Sequence, residues 1–104
     1  MSFPYPGNFL DVPKELSDTI ININIKSVNE MTRIVLPRMV EKYVIRCRYL
    51  DCLIFLYRQS GAIINVSSIS GAVPAPMLST YSASKSYVNF FSQCVATEYV
   101  INYV

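Results

Sequence analysis

The chain has 104 residues, of which 52% are hydrophobic and 15% are charged. This composition predicts one domain at most, with a buried core, and excludes a disordered polypeptide. The net charge of +2 comes from scattered basic residues rather than from a basic stripe, so we expect no nucleic-acid partner.

The cysteines and the hydropathy of the chain indicate the cellular compartment in which it works. Three irregularly spaced cysteines and the lack of histidine argue against a disulfide framework and against a metal site, and they fit a reducing environment. The N-terminus has no basic region leading into an apolar run, so we expect no secretory signal. The most apolar window, residues 44–57, is 14 residues long and contains three charges. Because a spanning helix needs ~20 mostly apolar residues, we expect no membrane span in this chain and, from composition alone, a cytoplasmic protein.

A long helix is predicted after an N-terminal loop. Prolines and a glycine crowd residues 1–14, which is typical of a loop. Over residues 15–42 apolar side chains recur at three- and four-residue steps, which predicts an amphipathic helix with Ser17 as a candidate N-cap and a late kink at Pro37. The apolar positions are Leu16, Ile20, Val28, Met31, Val35 and Met39.

The next segment, residues 43–59, is too apolar for an ordinary surface loop. Three interpretations stay open from the sequence. The segment extends the helix, forms an extra strand, or is translated sequence that does not belong to the fold.

A strand, a loop and a second helix complete the predicted order. Residues 62–66 form a short apolar run after Gly61, which predicts a strand buried on both faces. Residues 69–78 contain Gly71 and two prolines and are predicted to be a loop. A helix is predicted from about residue 80 to residue 99 or beyond.

Three side chains at fixed spacing indicate acid–base chemistry. Tyr81 and Lys85 are four residues apart, so they share one helix face, and Ser68 precedes Tyr81 by 13 residues. A loop of that length can bring the hydroxyl back over the phenol. An ammonium group beside a phenol favours the phenolate, which lowers a pKa of about 10 in the free side chain. Such a cluster can move a proton to or from a substrate oxygen.

Serine followed 13 residues later by Tyr-x-x-x-Lys resembles the short-chain dehydrogenase/reductase family. The resemblance is strongest to the branch that reduces 3-oxoacyl-CoA thioesters and 17-ketosteroids. It covers about residues 3–42 and 60–99 and includes the segments 3–6, 9–13, 35–37, 39–41 and 90–94.

The resemblance implies a role for four residues. Tyr81 is expected to be the proton donor and Ser68 to bind the substrate oxygen. Lys85 is expected to assist Tyr81, and both are expected to contact the nicotinamide ribose of NADP(H). Asn24, which matches the family's asparagine better than Asn22 does, is expected to order a water in the proton relay. By position alone, Asn24 is a buried amide satisfied by water or backbone, and Ser68 a turn cap.

The implied fold class is α/β. Residues 1–104 would form a central fragment of a Rossmann-like, doubly wound parallel sheet (long helix, strand, long helix) in which residues 43–59 are an atypical insertion. The family's Gly-x-x-x-Gly-x-Gly turn, which holds the dinucleotide phosphates, has no counterpart among the three glycines of this sequence. We therefore expect a partial domain that lacks the dinucleotide-binding turn.

Three functions stay open. The first is an NADP(H)-dependent reductase acting on an acyl-CoA or steroid substrate, inactive as this fragment. The second is a non-catalytic piece that docks on a complete subunit, because the family forms a homodimer through the helices predicted at 15–42 and 80–99. The third is a truncated gene product without a stable fold. The resemblance also implies the endoplasmic reticulum as the location.

Overall fold

The computed structural model of the chain describes residues 6–49 and 63–101. The chain divides into two compact units. The first contains residues 1–28 and 65–104, and the second contains residues 29–64. Every candidate site residue lies in the first unit. The elements are helix α1 (Lys14–Ile21), a π-helical segment (Asn22–Lys26), helix α2 (Ser27–Tyr49), a 3-10 turn (Ile69–Gly71) and helix α3 (Ser79–Ile101).

The long helix predicted over residues 15–42 is confirmed, because α1, the π-helical segment and α2 follow one another without a break. The helix continues through Pro37 to Tyr49, so residues 43–49 extend it, and the rest of the segment 43–59 lies outside the described residues. The prediction that Ser17 is the N-cap is wrong. Pro13 occupies that position, and its carbonyl accepts the amide of Ser17 at 3.2 Å.

The interior of the first unit lies between α3 and the helix formed by α1 and the π-helical segment. Two hydrophobic side chains are buried in its described part, Ile20 and Val88. Asn24 follows Ile20 by one helical turn, and Ser84 precedes Val88 by one turn, so each pair lies on one face of its helix. Both polar residues are buried as well. Burial of this kind requires hydrogen-bond partners, and the site geometry supplies them.

The predicted strand at residues 62–66 is wrong for the described part of it. Residues 63–68 are not helical, and no strand is formed anywhere within 6–49 and 63–101, because nothing in those ranges pairs with this segment. The expected burial on both faces also fails, since Ile64 is 85% exposed and Val66 is 76% exposed. Asn65 and Ser67 alternate with them and are half-buried against α3. The helices of the α/β prediction are therefore present in the described residues, whereas its strand is not.

A loop before α1 is anchored to the loop before α3. The amide of Gly7 donates to the carbonyl of Met77 at 3.0 Å, and Met77 adopts a left-handed conformation with φ of 65°. Within residues 6–49 and 63–101, no helix has the length and apolarity needed to cross a membrane.

Candidate functional site

Tyr81 and Lys85 occupy the first two turns of α3, as the four-residue spacing predicts. The Lys85 ammonium nitrogen lies 5.8 Å from the centroid of the Tyr81 ring. The same nitrogen donates a hydrogen bond to the carbonyl of Val66 at 3.1 Å. The phenol ring and the ammonium group therefore share one face of α3, and the ammonium group lies beside the backbone of Val66.

The turn after residues 63–68 lies directly against the backbone of α3. A Cβ added at Gly71 would come within 2.7 Å of the Lys85 carbonyl carbon and 2.9 Å of the Ser67 hydroxyl oxygen. The Ser67 hydroxyl in turn donates to the carbonyl of Lys85 at 2.9 Å. Only glycine fits this approach without a shift of the backbone. Ser67 thus helps to hold the turn against the backbone of α3.

Two further serines of α3 tie the turn in place. Ser86 donates through its hydroxyl to the carbonyl of Gly71 at 2.7 Å. Ser82 donates to the carbonyl of Ser70 and accepts the amide of Ala75 at 3.4 Å. These bonds fix the turn relative to the helix that carries Tyr81 and Lys85. They also satisfy backbone groups that no secondary structure pairs.

Ser68 stands at the start of the 3-10 turn. Its hydroxyl oxygen accepts the amide of Ser70 at 3.3 Å, the capping arrangement expected from position alone. Accepting this bond does not use the hydroxyl proton, which Ser68 can donate to another acceptor. Within the described residues no hydrogen bond joins Ser68 to the Tyr81 phenol.

Asn24 contacts the same helix through Ser84. Its side-chain nitrogen donates to the Ser84 hydroxyl at 2.9 Å, and Ser84 donates onward to the carbonyl of Tyr81 at 2.7 Å. Asn24 is 5% exposed and Ser84 is 1% exposed. The expected buried asparagine is therefore present, and its partner is a serine side chain. Asn22 is exposed.

Asn24 also lies within the π-helical segment, an irregularity that often marks functional positions. We missed this segment from sequence, since the periodicity of the surrounding residues fits an uninterrupted helix. We also missed Ser84, although it lies within the Tyr-x-x-x-Lys motif, because a helix serine gives no signal of burial.

A small cavity adjoins Tyr81 on the side of the N-terminal loop. Its volume is about 20 Å³, enough for one water molecule and too small for an acyl chain. The lining residues are Gly7, Phe9, Val12, Ile20, Met77, Leu78, Ser79, Thr80 and Tyr81. In the part of the chain that the structure describes, no three acidic, histidine or cysteine side chains come together as a metal site.

Known proteins resemble this chain over nearly its whole length. The short chain dehydrogenase family matches residues 4–104. The very-long-chain 3-oxoacyl-CoA reductase of Homo sapiens is 49% identical over 102 residues, and that of Mus musculus is 46% identical over 102 residues. The very-long-chain 3-oxoacyl-CoA reductase-B of Danio rerio is 43% identical over 101 residues. No solved structure shows a significant match.

The chain therefore belongs to the short-chain dehydrogenase family, whose fold is Rossmann-like. Each of these alignments covers 95% of this chain and 27% of the relative, so the chain spans about a quarter of the length of those reductases. Each of these relatives is named as a very-long-chain 3-oxoacyl-CoA reductase.

Proposed function

We propose that this chain carries the acid–base residues of an NADP(H)-dependent reductase that acts on 3-oxoacyl-CoA thioesters. The observation that carries the proposal is the shared face of α3, on which the Lys85 ammonium lies 5.8 Å from the Tyr81 ring. The names of the similar reductases favour an acyl thioester over a steroid as the substrate.

Each side chain has a task that its chemistry allows. Tyr81 gives a proton to the carbonyl oxygen of the substrate as a general acid. The Ser68 hydroxyl, whose oxygen already accepts from Ser70, donates to that same oxygen and stabilises the negative charge that develops on it. Asn24 stays fixed by Ser84 and holds the turn of α3 from which Tyr81 projects.

The residues present fit one end of the dinucleotide. Lys85 uses one of its three ammonium donors on the Val66 carbonyl, which leaves two for ribose hydroxyls. The bound cofactor would supply the hydride. The phosphates have no cradle of the family type in this sequence, because its glycines do not form the Gly-x-x-x-Gly-x-Gly turn.

We therefore expect no turnover from these 104 residues alone. Hydride transfer needs the two reactants held within about 3.5 Å, and such positioning supplies roughly 7–11 kcal/mol of the barrier reduction. Purified chain should leave NADPH absorbance at 340 nm unchanged in the presence of a long-chain 3-oxoacyl-CoA.

A chimera tests the proposal where the cofactor half is present. In it, this chain replaces the matching segment of the human reductase, and NADPH oxidation is followed with a long-chain 3-oxoacyl-CoA. Tyr81→Phe should lower kcat by ~100-fold or more, since it removes the general acid. Tyr87→Phe is the matched control. It keeps the ring that stacks on Phe91 at 5.5 Å and should stay within about twofold of the unmodified chimera.

Equal rates for the two tyrosine variants would refute the assignment of Tyr81. A 17-ketosteroid serves as the second substrate. Faster turnover of the steroid than of the thioester would replace the acyl-CoA by a steroid and leave the acid–base roles intact.

A second candidate function is docking on a complete subunit. Its support is that α3 leaves Phe90 69% exposed, a large apolar side chain on one of the helices through which the family dimerises. Mixing the chain with the full-length human reductase should then give a hetero-complex by light scattering, weakened by Phe90→Ser. Unchanged masses would remove this candidate.

We propose that the protein is located at the endoplasmic reticulum, and this proposal rests on the family resemblance.

A further inference from the structure

Ser27 makes two hydrogen bonds that reach different carbonyls. Its backbone amide donates to the carbonyl of Asn22, five residues earlier, which is the register of a π-helix. Its hydroxyl donates to the carbonyl of Ile23, four residues earlier. In an α-helix the amide itself would bind that second carbonyl. The hydroxyl of Ser27 therefore takes the place that its amide has left.

Other hydroxyls of the chain make the same kind of bond in a regular helix. Thr19 donates to Glu15, Ser92 to Val88 and Thr97 to Gln93, each four residues back. None of these three directly follows the π-helical segment, as Ser27 does. A hydroxyl bonded to the preceding turn is thus ordinary by itself. The distinctive feature of Ser27 is that its hydroxyl and its amide bind successive carbonyls.

We propose that Ser27 is a positioning residue that holds the π register and thereby directs Asn24 toward Ser84. In the α register the amide of Ser27 competes for the Ile23 carbonyl. The Ser27 hydroxyl already gives the Ile23 carbonyl a hydrogen-bond donor. A return of the segment to the α register would therefore not stabilise that carbonyl further. The geometric part of the proposal stands alone, and only its consequence for catalysis rests on the proposed function.

The register matters because it sets the direction of Asn24. One residue advances an α-helix by ~100°, so loss of the extra residue in the π turn would rotate Asn24 relative to the residues that follow. The Asn24 nitrogen lies 2.9 Å from the Ser84 hydroxyl. A rotation of even a fraction of that step breaks the bond, because hydrogen bonds weaken steeply with angle and distance.

The test compares variants at position 27 of the full chain by NMR. Ser27→Val and Ser27→Thr have side chains of nearly the same shape, and only threonine keeps the hydroxyl. Ser27→Ala is the second hydroxyl-free variant, and since alanine is the best helix former it leaves the helix intact. Thr19→Val is the matched control, because it removes an equivalent hydroxyl from the regular helix α1.

Scalar coupling across the hydrogen bond reports which carbonyl accepts the amide of residue 27. The parent chain, Ser27→Thr and Thr19→Val should all show coupling to the carbonyl of Asn22. Ser27→Val and Ser27→Ala should show coupling to Ile23 instead. In the latter two, solvent exchange of the Asn24 side-chain amide should accelerate at least tenfold, because its bond to Ser84 is lost.

Coupling to Asn22 in both hydroxyl-free variants would overturn the proposal. Circular dichroism identifies any variant that fails to fold, and the outcome is then decided by the alanine variant alone. The measurement involves no turnover and no cofactor, so it stands whether or not the chain belongs to an active reductase.

Discussion

Two asparagines of this chain each donate to a serine of α3, and the two serines are about two helical turns apart. Asn24 donates to Ser84 at 2.9 Å, and Ser84 donates to the carbonyl of Tyr81 at 2.7 Å. Asn65 donates to Ser92 at 2.9 Å, and Ser92 donates to the carbonyl of Val88 at 2.7 Å. We call these the buried relay and the half-buried relay. Their distances are identical, so any difference in what they contribute comes from their surroundings.

Burial is the main difference. Asn24 and Ser84 are 5% and 1% exposed, whereas Asn65 and Ser92 are only half-buried. A buried donor that loses its partner costs the full desolvation penalty, but a donor near solvent recovers a bond to water. The buried relay also ends at the carbonyl of the candidate general acid. Geometry alone would rank the two relays equal, and energetics and location separate them.

Gly71→Ala should have the largest effect on stability, because it displaces the segment that carries the half-buried relay. The new methyl group would lie 2.7 Å from the backbone carbonyl carbon of Lys85, a position that cannot yield as a flexible side chain can. We expect the free energy of unfolding, from urea titration followed by circular dichroism, to fall by about 3 kcal/mol.

The same variant should separate the two relays. Solvent exchange of the Asn65 side-chain amide should accelerate while that of Asn24 is preserved. Ala72→Gly, which removes a methyl group from an exposed neighbour of Gly71, is the control and should cost about 1 kcal/mol or less. If both variants lose the same free energy of unfolding, a side chain at position 71 does not clash with the backbone of α3.

Ser84→Ala tests the effect of burial directly, with Ser92→Ala as its matched control. We expect the first to lower the free energy of unfolding by about 2 kcal/mol, because it leaves the Asn24 amide buried without a partner. The second should cost about 0.5 kcal/mol, since water can reach Asn65. The same urea titration measures both. If the order is reversed, burial is not what distinguishes the relays.

The ion pair between Lys14 and Asp18 is more exposed to solvent than either relay. We expect its loss to have the smallest effect on stability. The 2.9 Å hydrogen bond to Asp18, together with the charge of that carboxylate, raises the pKa of Lys14. A raised pKa in the folded state means that the contribution is present at neutral pH and is lost as the pH rises through the folded-state pKa of Lys14. Because the pair is exposed, Asp18→Asn should leave the urea midpoint at pH 7 nearly unchanged. A drop as large as that of Ser84→Ala would contradict this ranking.

The sequence predicted the helices and the position of Asn24 for a clear reason. Apolar residues repeating every three or four positions define a helix, and Asn24 lies on that stripe between Ile20 and Val28. It also predicted that Tyr81 and Lys85 share a face, which follows from helical geometry alone. These features depend on local spacing, so one sequence is enough to give them.

The strand, the cap and the π turn depend on more than local spacing. A strand forms only by pairing with another strand, and the described residues contain no second strand beside residues 63–68. Ser17 has the right chemistry for an N-cap, but the helix already begins after Pro13. The π-helical segment (Asn22–Lys26) ends with the bond from the Ser27 amide to the Asn22 carbonyl, and no hydrophobic periodicity in the sequence reveals this register. Ser84 could have been predicted as a site residue only by asking which hydroxyl of the other helix would pair with a buried Asn24.

The most direct test of the account measures turnover of the two relay variants in the chimera with the human reductase. Ser84→Ala and Ser92→Ala each remove one hydroxyl from α3, but only Ser84 contacts the turn that carries Tyr81. With a long-chain 3-oxoacyl-CoA and NADPH, well below the unfolding temperature of both variants, Ser84→Ala should lower kcat at least tenfold with little change in KM. Ser92→Ala should stay within about twofold of the unmodified chimera. Equal kcat values for the two variants would contradict the claim that Asn24, Ser84 and Tyr81 belong to one catalytic site.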